Sequence, residues 1–482
     1  MRKVFFGLWL VTLSANLTVK AQAQDNTWDL KRCVEYAREH NVQVRQQHIQ
    51  ANLAHLDYTQ AKYSQLPNLN GSFQGGWNFG RSVDQVNYTY STQTFFQTNA
   101  SLSSSVTLFN WFSKINTTRA NKLTAEAERL TEEKIKNDVS LNVANLYLQV
   151  LFNIQQAGIN ETRLNQSRAQ FENTRRQVDA GALPELNAVE LEAQLGVDSA
   201  NWIQAKTNIE LSILQLKNAL NLPADTLFVV DTPPVESIPV DNILEESPAV
   251  IYNLALAALP QFRANDLRLQ AAERQYKATH GQLFPTISAF AQLNTLSNNR
   301  TMEGYGNFVE YNPVIGTVGT PAGVMEVNSI IKQRLYDSYR NTNYFKQYSN
   351  NFGQNLGFSL NVPIFNGLQA RNNVRRQKLN IQNQEIIMEQ DKLNMKRDIY
   401  DAYQQALGAF EKYNASKKSV ESAQKAFDFA TRRYNIGVLQ TIQWLNNQNT
   451  LAEAKINALI AQFDYVFKMK VLEFYKGQGI KL

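Results

Sequence analysis

Leu356, Phe358, Leu360, Val362 and Ile364 alternate strictly with Gly357, Ser359, Asn361 and Pro363, the period of a strand with one apolar face. Three further stretches share that pattern. Leu69, Gly71, Phe73, Gly75, Trp77 and Phe79 alternate with Asn, Ser, Gln and Gly; Ala100, Leu102, Ser104, Val106 and Leu108 alternate with Asn99, Ser101, Ser103, Ser105 and Thr107; and Ile287, Ala289, Ala291 and Leu293 stand against Thr286, Ser288, Gln292 and Asn294. The spacing predicts strands over about 69–79, 97–108, 286–296 and 354–364. Not one charge falls within them, where a chain with 19% charged residues would place about eight or nine. Strands of about 11 residues also fit a tilted membrane crossing.

Apart from a polar connection over 80–94, a connector over 223–248 and a segment over 297–353, the remainder reads as helix. The pattern predicts helices over 28–66, 110–180, 184–222, 250–283, 367–436 and 438–475. Pro67 and Pro285 stop the two that precede strands, and Pro184 suits a first helical turn. In Ile399, Tyr403, Ala406, Phe410, Tyr413 and Val420 the spacing alternates four and three, a coiled-coil period that a solvent-exposed coiled coil and a packed helical tube explain equally well. At 1.5 Å per residue a helix of about 70 residues is about 105 Å long.

One register shift relates distant positions. Val106, Leu108, Phe109 and Asn110 lie 256 residues ahead of Val362, Ile364, Phe365 and Asn366, and the same shift carries Phe171 to Phe427 and Gly181 to Gly437. The expected organisation is an internal duplication: a first repeat over 24–222, a proline-rich connector over 223–248, and a second repeat over 249–482. Each repeat would run helix, two strands, long helix, return helix. Gly181 and Gly437 mark the far turns, where a left-handed residue is needed. Pro67 to Pro285 is a shift of 218, so the second hairpin carries 38 extra residues, expected as a long extracellular loop over 297–353.

Charge and export narrow the classes further. Arg2 and Lys3 precede an apolar run from Val4 to Leu13 and then Ala21, Gln22, Ala23, the layout of a secretory signal over 1–23. Without it the chain keeps 45 Lys and Arg against 42 Asp and Glu, and a nucleic-acid role loses its electrostatic argument. Cys33 is alone and can form no intrachain disulfide. After the signal no run of 18 apolar residues exists, so a bilayer would be crossed by strands. Four strands cannot close a barrel, since the smallest use about eight, and lone edges are not tolerated in lipid. The strands are therefore expected to be pooled between copies of the chain.

With these pieces in order the chain resembles the TolC family of outer-membrane efflux ducts over nearly all of its mature length. The residues that carry the resemblance are Leu66 with Pro67, Phe284 with Pro285, Pro363 to Gly367, and the turn segments Arg176 to Leu183 (RQVDAGAL) and Arg433 to Leu439 (RYNIGVL), the latter followed by Trp444 to Ala454 (WLNNQNTLAEA). The resemblance implies a mixed α and β membrane protein: a homotrimer with a 12-stranded barrel in the outer membrane, continuous with a 12-helix tunnel in the periplasm, and an equatorial connector. The implied partners are outer-membrane lipid, a periplasmic adaptor of the membrane-fusion type and an inner-membrane pump of the RND, ABC or MFS kind, in efflux or type I secretion. By the same resemblance Ala180, Gly181, Ala182 and Leu183, with Ile436, Gly437, Val438 and Leu439, are the tips that touch the adaptor. Tyr434 matches the tyrosine of the family's periplasmic gate. Asn187, Gln443 and Asn446 stand where the family has acids, and Leu439 where it has an arginine, which implies a gate held by amide hydrogen bonds.

No catalytic constellation competes with this. His40, His48 and His55 are spaced eight and seven apart, whereas metal pairs on a helix want four, and no phosphate-binding, metalloprotease or nucleophile-elbow motif occurs. No enzyme activity, cofactor or metal is expected. A structural or adhesive coiled-coil protein anchored by its hairpins is the competing reading, supported by the long 297–353 segment.

Overall fold

In the computed structural model, residues 27–83, 90–233 and 246–477 are described. The signal expected over 1–23 and residues 234–245 of the connector lie outside them. The elements in chain order are β1 (Thr27–Trp28), α1 (Leu30–His40), α2 (Val42–Tyr63), β2 (Asn70–Val83), β3 (Tyr90–Phe109), α3 (Ser113–Asp179), α4 (Glu185–Leu220), β4 (Val229–Val230), α5 (Pro248–Ala258), α6 (Pro260–Gly281), β5 (Thr286–Asn298), β6 (Met302–Tyr311), β7 (Val314–Thr320), β8 (Gly323–Asn328), β9 (Gln333–Asn341), α7 (Tyr344–Asn350), β10 (Gly353–Asn361), α8 (Gln369–Asn435) and α9 (Thr441–Tyr475). The chain divides into two compact units.

One unit takes the described residues up to Ile49, Leu130–Phe262 and those from Gln390 on, and it is helical. Its largest core joins Cys33 and Ala37 of α1 to Val143, Tyr147 and Leu151 of α3 and to Leu216 and Leu220 of α4. β1 pairs in parallel with β4, Trp28 facing Val230, and the buried Tyr147 hydroxyl donates to the carbonyl oxygens of Asp231 at 2.7 Å and Trp28 at 3.2 Å, locking that short ladder to α3. Asp29 caps α1 by accepting from the Arg32 N–H at 2.8 Å. A second core packs α5, α8 and α9 through Ile251, Ala255, Ile399, Ala406, Met469 and Leu472. The alternating stripe on α8 is thus a packing seam: Phe410 and Tyr413 lie 5.4 and 6.2 Å, ring to ring, from Tyr465 of α9.

Two helices expected to be continuous are broken. Asn41 and Leu259 are both extended caps, with ψ of 134° and 129°, and Leu259 lies 218 residues after Asn41, the separation already seen between Pro67 and Pro285. Pro260 explains the second break, because its ring excludes a helical residue before it. At the first, the Asn41 side chain holds the kink by donating to the Ala219 carbonyl at 2.8 Å and accepting from the Gln43 N–H at 2.9 Å.

The other unit takes Gln50–Arg129 and Arg263–Glu389. Its centre is an antiparallel four-stranded sheet in the order β10-β5-β3-β2. β10 ends at Asn361, so Val362 and Ile364 fall outside the ladder; Pro363 has no N–H to give it. The segment over 297–353, expected as a loop, is instead built: β6 pairs with β9, β7 with β8, and α7 follows. Period-two reasoning missed these strands because bulges between Tyr305 and Phe308 and between Val314 and Gly316 break their alternation.

Both exits from the sheet into long helices turn alike. Trp111 (φ 52°) and Phe112 (φ 59°) precede α3, and Gly367 (φ 62°) and Leu368 (φ 65°) precede α8, again 256 residues apart. Consecutive left-handed residues are costly for bulky side chains. The first pair is held by its neighbours: the Trp111 indole donates to the Pro285 carbonyl at 3.0 Å and its ring lies 4.7 Å from Phe284.

Candidate functional site

The two helical hairpins of the first unit, α3 with α4 and α8 with α9, end in matching turns. After α3, the Gly181 N–H donates to the Val178 carbonyl and the Ala182 N–H to the Gln177 carbonyl, both at 2.8 Å. After α8, the Gly437 N–H donates to Tyr434 at 2.9 Å and the Val438 N–H to Arg433 at 3.0 Å. These are paired Schellman caps with the glycine left-handed, φ 70° and 73°. Ala180, Gly181 and Ala182 are exposed and Leu183 half-buried; Ile436, Gly437 and Val438 are exposed and Leu439 half-buried. The first turn is braced by Arg175, which reaches Asp179 at 3.1 Å and Glu185 at 2.7 Å; the bond to Glu185 raises the Arg175 pKa further.

Behind the turns the hairpins share one small core. Trp444 of α9 is buried against Leu191 of α4 and Ala430 of α8, with Phe171, Phe427 and Leu439 at its edge. The Tyr434 ring stacks on Trp444 at 5.5 Å, and its hydroxyl stands 3.4 Å from those of Thr174 and Thr441, so it bridges α3, α8 and α9. Asn187 is half-buried, and Gln443 and Asn446 are exposed. Within the chain their side-chain amides make no hydrogen bonds among the described residues; their backbone groups close local helix bonds. The structure therefore brings Tyr434 into a core and leaves the three amides free on the helix surface.

Sequence reasoning missed a buried polar cluster further along the same hairpins. Asp198 of α4 is fully enclosed; its carboxylate lies 2.7 Å from the Arg163 guanidinium and accepts from Ser167 at 2.6 Å and Gln194 at 2.9 Å. Gln448 and Asn449 of α9 complete it, through Ser167 and Arg163. Its members are scattered over three helices, and no local pattern marks them.

The sheet of the other unit has two unlike faces. Phe73, Trp77, Leu102, Leu293, Phe358 and Leu360 share one, and all are exposed on the single chain. Ser72, Gln74, Ser101, Ser103, Gln292 and Asn355 share the other. Phe290 interrupts the polar face. It is seated opposite Ser105 and Gly357, and a Cβ added to Gly357 would stand 2.9 Å from its ring. At the helix-ward ends of β3 and β5 an open cleft of about 590 Å³ is lined by residues that include Asp57, Gln60, Asn110, Lys114, Asn121 and Gln282. Among the described residues no helix is long and apolar enough to cross a membrane.

The sheet carries a single charge, Arg81 in β2, and a free apolar face, and the two longest helices of the chain run 67 residues each. Residues 33–222 and 251–468 match the family described as outer membrane efflux protein, and the chain belongs to that family. The outer membrane protein TolC of Escherichia coli K12 is 22% identical over 449 residues, 91% of this chain and 80% of that protein; TolC of Salmonella enteritidis is 19% identical over 450 residues, 93% and 82%. Among solved structures, the Campylobacter jejuni CmeC outer membrane channel superposes with a TM-score of 0.71 at 17% identity, covering 95% of this chain and 86% of that one. The outer membrane protein VceC of Vibrio cholerae gives 0.72 at 14% identity, covering 94% and 97%. The fold is thus that of an outer-membrane channel. Membership of the family makes this an outer-membrane transport protein with a helical periplasmic extension.

Proposed function

We propose that three copies pool their strands into a closed 12-stranded barrel and their helices into a 12-helix tube, forming a passive exit duct of a tripartite efflux or type I secretion system. The chain is read as a duplication of one helix-strand-strand-helix-helix unit, supported by the matched breaks at Asn41 and Leu259 and the matched turns at Gly181 and Gly437. The observation that carries the reading is the sheet: β2 and β10 are its outer strands, their far edges unpaired among the described residues, and its apolar face is exposed. Open edges in hydrocarbon leave backbone groups unsatisfied, and only closure with further copies removes them. No step of chemistry is assigned to the duct, and it is not an enzyme. Cargo energy comes from an inner-membrane pump reached through an adaptor.

In this reading the turns at Ala180–Leu183 and Ile436–Leu439 dock the adaptor, and Asn187, Gln443 and Asn446 line the periplasmic entrance with Tyr434 at its wall. The free amides suit hydrogen bonds between copies, worth about 0.5 to 1.5 kcal/mol each, weak enough for an adaptor to reopen. Single-channel recording of the purified protein in a planar bilayer tests it: the intact duct conducts poorly, and Tyr434→Ala raises conductance. Absence of any conductance overturns the duct. High conductance that Tyr434→Ala leaves unchanged overturns the gate alone.

A further inference from the structure

The helix α7 lies within the segment that follows β5, and its underside is fastened to the sheet with unusual completeness. Gln347 is buried: its amide donates to the carbonyls of Asn298 and Thr342, both at 2.8 Å, and accepts from the Asn298 N–H at 2.9 Å. Tyr348 shares a 2.7 Å hydrogen bond with the Thr98 hydroxyl, and its carbonyl accepts from Thr295 at 2.7 Å. Asn351, just past the helix, donates to the Leu296 carbonyl at 2.9 Å. Five of these six side-chain bonds run to β3 and β5, so the short helix is a fixed part of the sheet.

Its seat fixes which way it faces. Thr98 is paired with Gly75 and Ser297, and Thr295 with Ala100, so the helix covers the same face that carries Phe73, Trp77 and Leu293. It occupies the end of β5 opposite the junction with α6 and a level midway along β3, next to the aromatic pair Trp77 and Phe96, whose rings are 5.3 Å apart. Outward from this fastened underside stand Phe345, 83% exposed, with Tyr344 and Phe352 also exposed. Lys346 beside them is ion-paired with Glu303, holding that carboxyl below its usual pKa, and Arg340 pairs with the same group. Apolar rings at the rim of a lipid-facing surface, beside a paired cluster of two cations and one carboxylate, match the composition of a membrane interface.

We propose that α7 is a membrane-interface foot, setting Phe345, Tyr344 and Phe352 at the boundary between headgroups and acyl chains of the outer leaflet. The proposal rests on the outer-membrane duct reading and deepens it. The occupant is lipid because the helix continues a surface that this reading already gives to lipid. The foot fixes the depth of the sheet and the level at which the β6–β9 arm leaves the membrane.

Depth-dependent quenching tests it in the full-length protein. Cys33 is fully buried, so cysteines placed singly at Phe345, Leu356 and Ile330 take an environment-sensitive fluorophore selectively; all three positions are exposed. Each variant is reconstituted in phosphatidylcholine vesicles carrying a nitroxide high on the acyl chain. The expected result is a blue-shifted emission at Phe345→Cys that loses most of its intensity to the nitroxide, strong quenching at Leu356→Cys, and a water-like, unquenched spectrum at Ile330→Cys. Quenching at Leu356 without quenching at Phe345 overturns the foot and leaves the duct standing. A blue shift at Phe345 without quenching means a protein covers the helix, and this also overturns it. Loss of quenching at both overturns the foot together with the lipid-facing sheet. Gln347→Leu, which releases the underside, is expected to lower the quenching at Phe345 and leave that at Leu356 unchanged.

Discussion

Asp198 and Arg163 illustrate what a single residue can cost in this chain. The carboxylate has no exposed surface and the guanidinium very little, so each charge depends on the other and on Ser167 and Gln194. Removing one partner of a buried pair leaves the other uncompensated, at about 3–5 kcal/mol. Asp198→Ala is therefore expected to lower the melting temperature of the detergent-solubilised protein strongly, read by circular dichroism. Asp198→Leu combined with Arg163→Met is expected to be milder than Asp198→Ala. Cys33 gives a prediction in pH. Burial, reinforced by Asp29 against the opposing pull of Arg32, pushes its thiol up to about 12 from 9.0. The unfolded chain gives up this proton first, so below pH 9 the group is silent. From about pH 9 to 12 it makes stability fall as pH rises, by up to about 1.4 kcal/mol per unit. Cys33→Ala is expected to flatten that part of an alkaline unfolding curve, and the native thiol to resist alkylation until the protein is denatured. Cys33, unlike Asp198, stood out in the sequence; its burial did not, because it follows from α3 and α4 closing over α1.

At the scale of elements, β5 shows how far alternation carries. The pattern places Ile287, Ala289, Ala291 and Leu293 on one face, and these residues do share one. Phe290 has the parity of the polar face, and a sequence offers no reason to admit a ring there. Its neighbours do: Ser105 on β3 and Gly357 on β10 leave the space it fills. Gly357→Val is expected to push this ring aside and impair assembly, measured as the yield of folded protein in the membrane, and Phe290→Ala to restore it. Failure of that rescue would show that Gly357 is kept for another reason. The arm over β6–β9 was illegible for the opposite cause. Bulges and Gly306, at φ 90°, reset the period, so a paired ladder looks like a polar loop.

For the whole molecule the deciding fact is the open sheet. An engineered cysteine pair, one on the outer edge of β2 and one on that of β10, scanned for register, is expected to oxidise into a ladder ending at the covalent trimer on denaturing gels. Intrachain products alone would mean that the sheet closes on itself or stays open. What the sequence by itself determined is the order of strands and long helices, the alternating apolar face, the two glycine turns and the family, because period, charge and backbone freedom are local properties that each stretch displays alone. Tertiary structure alone decided the Asp198 cluster, the seat of Phe290, the stacking of Tyr434 on Trp444 and the fastening of α7. Those depend on which distant residues share a few cubic ångströms, and only the folded chain sets that.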